Sequence, residues 1–415
     1  MHLAYVCSDL GVPIGGNKGA SVHVRSLAQA LAARGHRISL VAANPGPPPP
    51  AGFLPQIHAV GYDRVLKSIK RRMQALDPDR PAGRETYALL LGARTYEQLG
   101  ELHRERALTA IYERHSLWSW AALAFAQAHR LPLVLEVNAP LVSEQSRYRS
   151  LALETTAQAC EQELIAGATE VVVPSAALAE HARRLGASRR RIHLLPNAVD
   201  AESFAAPHAL PPRLSRPLAG KFVIAFVGSL KPWHGVESLL RVFPQLLAKL
   251  PTAHLLIIGE GPLSAEVERL AGELGEQQMT ATGAVSHAEV ASWLHHADIG
   301  VAPYPPLDDF YFSPMKIVEY QAAGLAVVAS DIGHIRQQIT DGETGLLVPA
   351  GDETELRRAL LELGRQPARV EQLGSRARKA VAGNSWDRIA ASVERLVEPA
   401  AAAMPAAVLV TGGVA

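Results

Sequence analysis

Net charge is the first thing this chain lacks: 41 Lys and Arg stand against 40 Asp and Glu in 415 residues, leaving +1 at neutral pH. Such a balance creates no overall field favouring nucleic acid or an anionic membrane, so nucleic acid is not an expected partner and any anionic ligand must be held by local design. Thiols are almost absent. Cys7 and Cys160 are too few for a disulfide framework or a thiolate zinc site, which fits a reduced, cytoplasmic setting. Long apolar runs are missing as well, since no window reaches the ~18 to 20 continuous apolar residues of a membrane span. Met1 to Leu10 has no basic leader and reads as a first strand, not an export signal. Peripheral contact with a membrane's inner face stays open, because an amphipathic face needs no long run.

What is present has a rhythm. A chain of this length exceeds what one core usually supports, and two domains of roughly 200 residues are expected. Short apolar, β-branched runs alternate with helical patterns throughout, which indicates crossover units and parallel sheets. The first half offers strands near Leu3 to Cys7, Arg37 to Ala42, Thr109 to Tyr112, Leu133 to Val137, Glu170 to Val173 and Ile192 to Leu195. Val24, Leu27 and Leu31 form one apolar stripe between Gly19 and Arg34. Asn44 to Gly52, broken by prolines and glycines, is a loop. A second break, Asn197 to Gly220, reads as the interdomain linker. The expected domains are therefore 1–198 and 199–383, followed by a helix at 384–398 and a flexible tail at 399–415.

The second half repeats the pattern, with strands near Phe222 to Val227, His254 to Ile258, Met279 to Thr282, Asp298 to Ala302, Leu325 to Ala329 and Gly345 to Val348. Ser286 and Glu289 fit a capping box. Three strand ends carry chemistry. After Phe222 to Val227 come Gly228, Ser229, Lys231, His234 and Gly235, a turn that brings free amides, a cation and an imidazole to a helix start, where phosphate is favoured. Gly259 and Gly261 open the next helix in the same way, and Gly283 to Val285 stand at the same level, placed to offer backbone groups to a base. An aromatic loop, Phe310 to Phe312, leads through Ser313, expected as a cap, and Pro314, expected at the first helical position, into Met315, Lys316 and Glu319. A cation in a first helical turn opposes the dipole unless an anion is bound there, and Glu319, three residues on, can accept two ribose hydroxyls.

These motifs together resemble those of retaining glycosyltransferase family 4, whose fold is GT-B: two doubly wound, Rossmann-like parallel-sheet domains facing across a cleft. The matching segments are Gly15 and Gly16, Leu195 to Asp200, Gly228 to Gly235, Gly259 to Pro262, Ser313 to Gly324, and Asp341 to Asp352. The resemblance implies an N-terminal acceptor domain and a C-terminal domain that binds a nucleotide-sugar donor, with Gly15 and Gly16 approaching the donor's phosphate and sugar. It implies that Glu319 takes the ribose. Tyr311 stands where the family has another glutamate, and Ser229 and His234 stand where it has Arg and Lys, which leaves Lys231 and Lys316 to face the departing diphosphate. His115 is expected beside the transferred sugar, with Arg114, Glu136 and Asn138 at the same rim for acceptor or sugar contact. Asp308 beside Asp309 is taken as the nearest approach to a metal-binding Asp-x-Asp pair, so neither metal nor cofactor is expected.

The activity so implied moves a sugar, with retention at its anomeric carbon, to a hydroxyl of a sugar, lipid-linked or protein acceptor in glycan or glycoconjugate biosynthesis. The leaving phosphate takes the acceptor's proton and His115 orients. A non-hydrolysing nucleotide-sugar epimerase shares the architecture, and release of nucleoside diphosphate only in the presence of an acceptor separates transfer from it; a non-catalytic nucleotide-sugar-binding relative is the other alternative, motivated by Tyr311 in place of the glutamate.

Overall fold

The structure, a computed structural model, describes residues 1–61, 64–76, 82–148, 150–205 and 209–403. The chain divides into two compact units. One comprises Met1–Gly16, Ala20–Pro196 and the chain from Asp387 onward, and the other Asn17–Gly19 and Asn197–Trp386.

The first unit is built on a seven-stranded sheet of β1 (His2–Cys7), β2 (Arg37–Ala42), β3 (Gln56–Ala59), β4 (Ala110–Arg114), β5 (Leu133–Glu136), β6 (Glu170–Val173) and β7 (Ile192–Leu194). All neighbours are parallel, in the order β3-β2-β1-β4-β5-β6-β7. Every residue of β1 is buried, as expected for a central strand covered by helices on both faces. The chain leaves β1 toward one edge and returns to start β4 on its other side, so the order reverses between β1 and β4, where ligands of open α/β sheets bind. The stripe Val24, Leu27 and Leu31 of helix Gly19–Ala33 is fully buried. The one unforeseen strand is β3, an edge strand whose four residues hold little apolar surface and alternate weakly.

The proline loop is a wall of this unit. Ile14 and Gly15 donate their amides to the carbonyls of Asn44 and Pro45 at 2.9 and 3.0 Å, and Asn44 Nδ2 reaches Leu10 O at 2.9 Å. The last helix, Trp386–Ala403, runs past Val397 and through Pro399, so the tail expected from 399 begins as helix; residues 404–415 lie outside the described residues. Glu394 on this helix accepts from both Arg34 Nε and Nη2 at 2.7 Å and meets His36 Nε2 at 2.5 Å, fastening the helix to the end of Gly19–Ala33.

The second unit holds a six-stranded parallel sheet of β8 (Phe222–Val227), β9 (Ala253–Ile258), β10 (Met279–Ala281), β11 (Ile299–Ala302), β12 (Ala326–Ser330) and β13 (Leu346–Val348), ordered β10-β9-β8-β11-β12-β13. Its reversal lies between β8 and β11. There the ladder is short, with only Ile299↔Ile224 and Gly300↔Ala225 paired. Beyond them the Tyr320 hydroxyl accepts from Val227 N at 2.8 Å and donates to Val301 O at 3.3 Å, satisfying backbone groups that the opened ladder would strand. A Cβ on Gly300 would lie 2.3 Å from the Tyr320 ring, so that glycine makes the room. The stretch read as a linker contributes Val199, Phe204 and Leu218 to this unit's core. The Ser286 and Glu289 capping box is formed, with each side chain on the other residue's amide.

Candidate active site

Two glycine turns interlock at the carboxyl ends of β8 and β9. Gly228 N donates to Ile258 O at 2.9 Å, and Leu230 N donates to Glu260 O at 3.0 Å. Gly259 has φ +136°, and a Cβ there would sit 2.1 Å from Gly228 O, so no other residue fits. A Cβ on Gly261 would meet Leu230 N at 2.7 Å. Gly235 takes φ +75° and caps helix Val236–Leu247 with no side-chain cap, leaving the first helical amides to other partners. The strand-end turns are thus packed backbone against backbone, which fixes the direction of their free N–H groups.

Into this corner comes Lys316, from the first turn of helix Met315–Ala323, which has no acidic residue in that turn. Its Nζ lies 4.0 Å from the Phe226 ring centre and 5.5 Å from that of Tyr304, and a Cβ on Gly228 would be 3.2 Å away. It is buried and has no hydrogen-bond partner among the described residues. Burial pushes its amino group down to about 7, against a smaller upward pull from Glu319. A buried amine without an acceptor is costly unless something anionic visits it.

The neighbouring histidine contributes a donor and no charge. His234 Nδ1 is 2.7 Å from Ser229 O, and burial, followed by the charge of Lys316, takes its pKa down to about 3. It is therefore neutral, with Nδ1–H donating to the Ser229 carbonyl, and it shapes the turn without supplying a cation. Lys231 Nζ lies 4.9 Å over the Trp233 ring.

Glu319, one turn beyond Lys316, is buried and already engaged: His287 Nε2 is 2.9 Å from its Oε1. His287 begins helix His287–Leu294 and stands edge-on to Phe204 at 5.6 Å. The expected cap at Ser313 is not made. Pro314 is itself the N-cap of the helix that begins at Met315, and Ser313 Oγ is buried with no partner among the described residues. What fixes the loop is Asn197, whose Nδ2 donates to Ser313 O at 2.6 Å, so the Leu195 to Asp200 segment holds the approach to Lys316. Tyr311 is buried against Phe312, ring centres 4.2 Å apart, and Val285 packs on the core below.

In the first unit, Arg114 and Glu136 end the adjacent strands β4 and β5 and are register partners. Arg114 Nη1 lies 3.7 Å from Glu136 Oε2, and His23, from helix Gly19–Ala33, forms an ion pair with Oε1. Burial works to raise the Glu136 carboxyl, but His23 and then Arg114 outweigh it and hold the group below the usual range. Asn138 stands two residues beyond. His115 donates its amide to Glu136 O at 2.9 Å; its ring is buried, Nδ1 has no partner among the described residues, and burial lowers its pKa to about 4. Arg114, His115, Glu136 and Asn138 thus do share one rim. Gly15 does not need its bareness for a ligand: a Cβ would overlap Pro47 O at 1.7 Å, so the proline loop accounts for it, while Gly16 O accepts from Arg25 Nη1 at 2.5 Å.

Sequence reasoning missed His23 and His287, each a lone helix-borne histidine whose partner is far along the chain. It also passed over Asp77 and Asp79, which do stand at Asp-x-Asp spacing and lie outside the described residues. Among the described residues, no group of three His, Cys, Asp or Glu is placed to hold a metal ion, both cysteines are free and buried, and no helix is long and apolar enough to cross a membrane.

Two Rossmann-like units, each with its polar side chains gathered where the strand order reverses, give the chain a fold of the GT-B type. The Glycosyltransferase Family 4 model matches residues 17–203 and the Glycosyl transferases group 1 model matches residues 221–366. The chain belongs to this family and is a glycosyltransferase. Among similar proteins, glycogen synthase of Mycobacterium tuberculosis is 25% identical over 394 residues, spanning 91% of this chain and 90% of that one. Phosphatidyl-myo-inositol mannosyltransferase of the same species is 29% identical over 400 residues, spanning 92% and 93%. Sucrose-phosphate synthase from Thermosynechococcus elongatus superposes with a TM-score of 0.73 at 20% identity, covering 97% of this chain and 99% of that one.

Proposed function

We propose that the protein transfers a sugar from a nucleoside-diphosphate sugar to an acceptor hydroxyl with retention of anomeric configuration, and that its second unit, taken as residues 199–383, binds the donor. The observation that carries this reading is the buried, partnerless amine of Lys316 set against the Gly228 turn. A diphosphate there would receive the amides opened by Gly228, Gly235 and Gly259 together with a cation in a dry corner, where a single such contact is worth roughly 3 kcal/mol as leaving-group charge develops. Lys231 would be the second cation for the phosphates, with the hydroxyl of Ser229 at the same turn and that of Ser313 in the loop before the Lys316 helix.

Glu319 would accept the ribose hydroxyls, with His287 holding one of its oxygens so that the other faces the ligand. Val285 and its neighbours would meet the base, and Tyr311 the sugar end. The first unit, residues 1–198, would hold the acceptor at the rim of Arg114, Glu136 and Asn138. There His115, neutral at physiological pH, orients the sugar and leaves the acceptor's proton to the departing phosphate. Because Lys316 and backbone amides supply the positive charge, transfer is expected to need no metal. The relatives glycogen synthase and phosphatidyl-myo-inositol mannosyltransferase are named for quite different acceptors, so a sugar and a lipid-linked alcohol both belong in the trial, as does a protein. The setting we propose is cytoplasmic, with peripheral contact to a membrane's inner face.

The test is a panel of nucleotide sugars with and without candidate alcohols. Acceptor-dependent release of nucleoside diphosphate, unaffected by EDTA, with the product's anomeric proton showing the donor's configuration, supports the reading. Interconversion of the sugar without an acceptor would show an epimerase instead, and inverted product would remove the retaining mechanism.

A further inference from the structure

One carboxyl group of the first unit has no part in the chemistry described so far. Glu113, near the end of β4, is 0% exposed, and its register partners on β1 and β5 are Val6 and Leu135. Side chains alternate along a strand, so Tyr112 and Arg114 lie on the other face of the sheet, with Tyr5, Cys7 and Glu136 beside them. Burial and one hydrogen bond, donated by Ser119 Oγ to Oε1, set the ionisation of Glu113; burial prevails and pushes the carboxyl up to about 8. Neither His115, in the loop that follows, nor His129, at the far end of helix Ala121–His129, supplies it with a charge. Oε2 has no partner among the described residues. At neutral pH Glu113 is therefore an uncharged acid in an apolar layer.

Its partner gives this acid a task. Ser119 is buried and belongs to loop 115–120, which leaves β4 where the strand order reverses. The loop starts tied to β5 by the His115 amide on Glu136 O. It then turns back with Trp118 at φ +71°, a left-handed conformation that a bulky residue keeps only where its surroundings impose it. Packing on Val142, Ala157 and Cys160 holds the Trp118 side chain, and the Ser119 hydrogen bond ties the next residue back to the strand. The helix that follows has no side-chain cap. His115 Nδ1, Ser116 Oγ and Trp120 Nε1, all carried by this loop, are buried without a partner among the described residues, so the loop's exact path decides what they can meet. We infer that Glu113 is a positioning residue, which latches loop 115–120 through Ser119 and so sets where His115 stands against the transferred sugar. The latch works in the protonated form. Ionisation strengthens the Ser119 bond but leaves a charge with a single partner in a dry layer, which opening the loop to water relieves. The role given to His115 rests on the transfer reading above; the latch itself does not.

Hydrogen exchange of the full-length protein, read on the peptide spanning 115–124 and corrected for the chemical rate, follows the loop with no substrate present. The native loop is expected to be protected at pH 7 and to lose about tenfold of that protection by pH 9. Glu113→Gln keeps the acceptor oxygen for Ser119 and cannot ionise, so its loop should stay protected at both values, whereas Ser119→Ala should be deprotected at both. Acceptor-dependent release of nucleoside diphosphate reads the consequence: Ser119→Ala should lower kcat about tenfold or more with nucleotide affinity unchanged, and Glu113→Gln should keep its kcat to higher pH than the native enzyme. Equal protection of the native and Ser119→Ala loops, or a Glu113→Gln loop that opens by pH 9 as the native one does, overturns the latch. Should Ser119→Ala not fold, the Glu113→Gln comparison decides. An unchanged kcat in a deprotected Ser119→Ala overturns the link to His115. If the native protein turns over no nucleotide sugar, the transfer reading fails and the exchange measurement still decides the latch.

Discussion

Lys316 and Glu319 share a helix but meet opposite circumstances. The amine is buried without a partner, and the carboxylate is held by His287. Because burial brings Lys316 from 10.5 to about 7, the unfolded chain binds more protons than the native one between those values. Stability is therefore expected to rise as pH increases from about 7 toward 10.5, and to be independent of this group below about 7, where both states hold the proton. Thermal unfolding across that range, compared with Lys316→Met, checks the sign: the variant should lose this slope. A bound diphosphate restores the proton, so nucleotide binding near pH 8 should take up a proton, measurable by calorimetry in buffers of different ionisation enthalpy. At Glu319 the expected effect is on binding. His287→Phe frees the carboxylate to turn and should raise donor KM about tenfold, the worth of one charged hydrogen bond, with a much smaller change in kcat.

At the scale of elements, strands were the most legible feature, because runs such as Phe222 to Val227 are apolar, β-branched and closed by glycine. The strand β3 was not legible, since an edge position asks little burial of Gln56 to Ala59. The glycine turns were read correctly as tight, but their cause differs from place to place. Gly259 is bare because Gly228 O passes beneath it, and Gly15 because Pro47 does. Ser313 illustrates a limit of motif reading: a Ser-Pro pair before a helix predicts a cap, yet the helix begins a residue later and Asn197, over a hundred positions away, does the fixing. Partners such as His287 and His23 are set by tertiary packing, and no local spacing announces them. Gly259→Ala should force the β8 and β9 turns apart, lowering stability by roughly 2 to 4 kcal/mol and weakening nucleotide binding in whatever fraction remains folded. A thermal melt with near-native midpoint and unchanged nucleotide affinity would contradict this account of the turn.

For the whole molecule, two parallel sheets with their order reversed at β1 and β4 and again at β8 and β11 place polar groups where open sheets bind ligands, and family membership makes the chain a glycosyltransferase. The donor site claimed for the second unit turns on one charge. The most direct measurement is calorimetric titration of UDP, GDP, ADP and TDP into the native protein and into Lys316→Met at the same pH. At least one nucleotide should bind the native protein and bind the variant about a hundredfold more weakly, the loss of roughly 3 kcal/mol expected for a buried cation on a diphosphate. Equal affinity for native protein and variant would place the diphosphate somewhere other than the Gly228 turn.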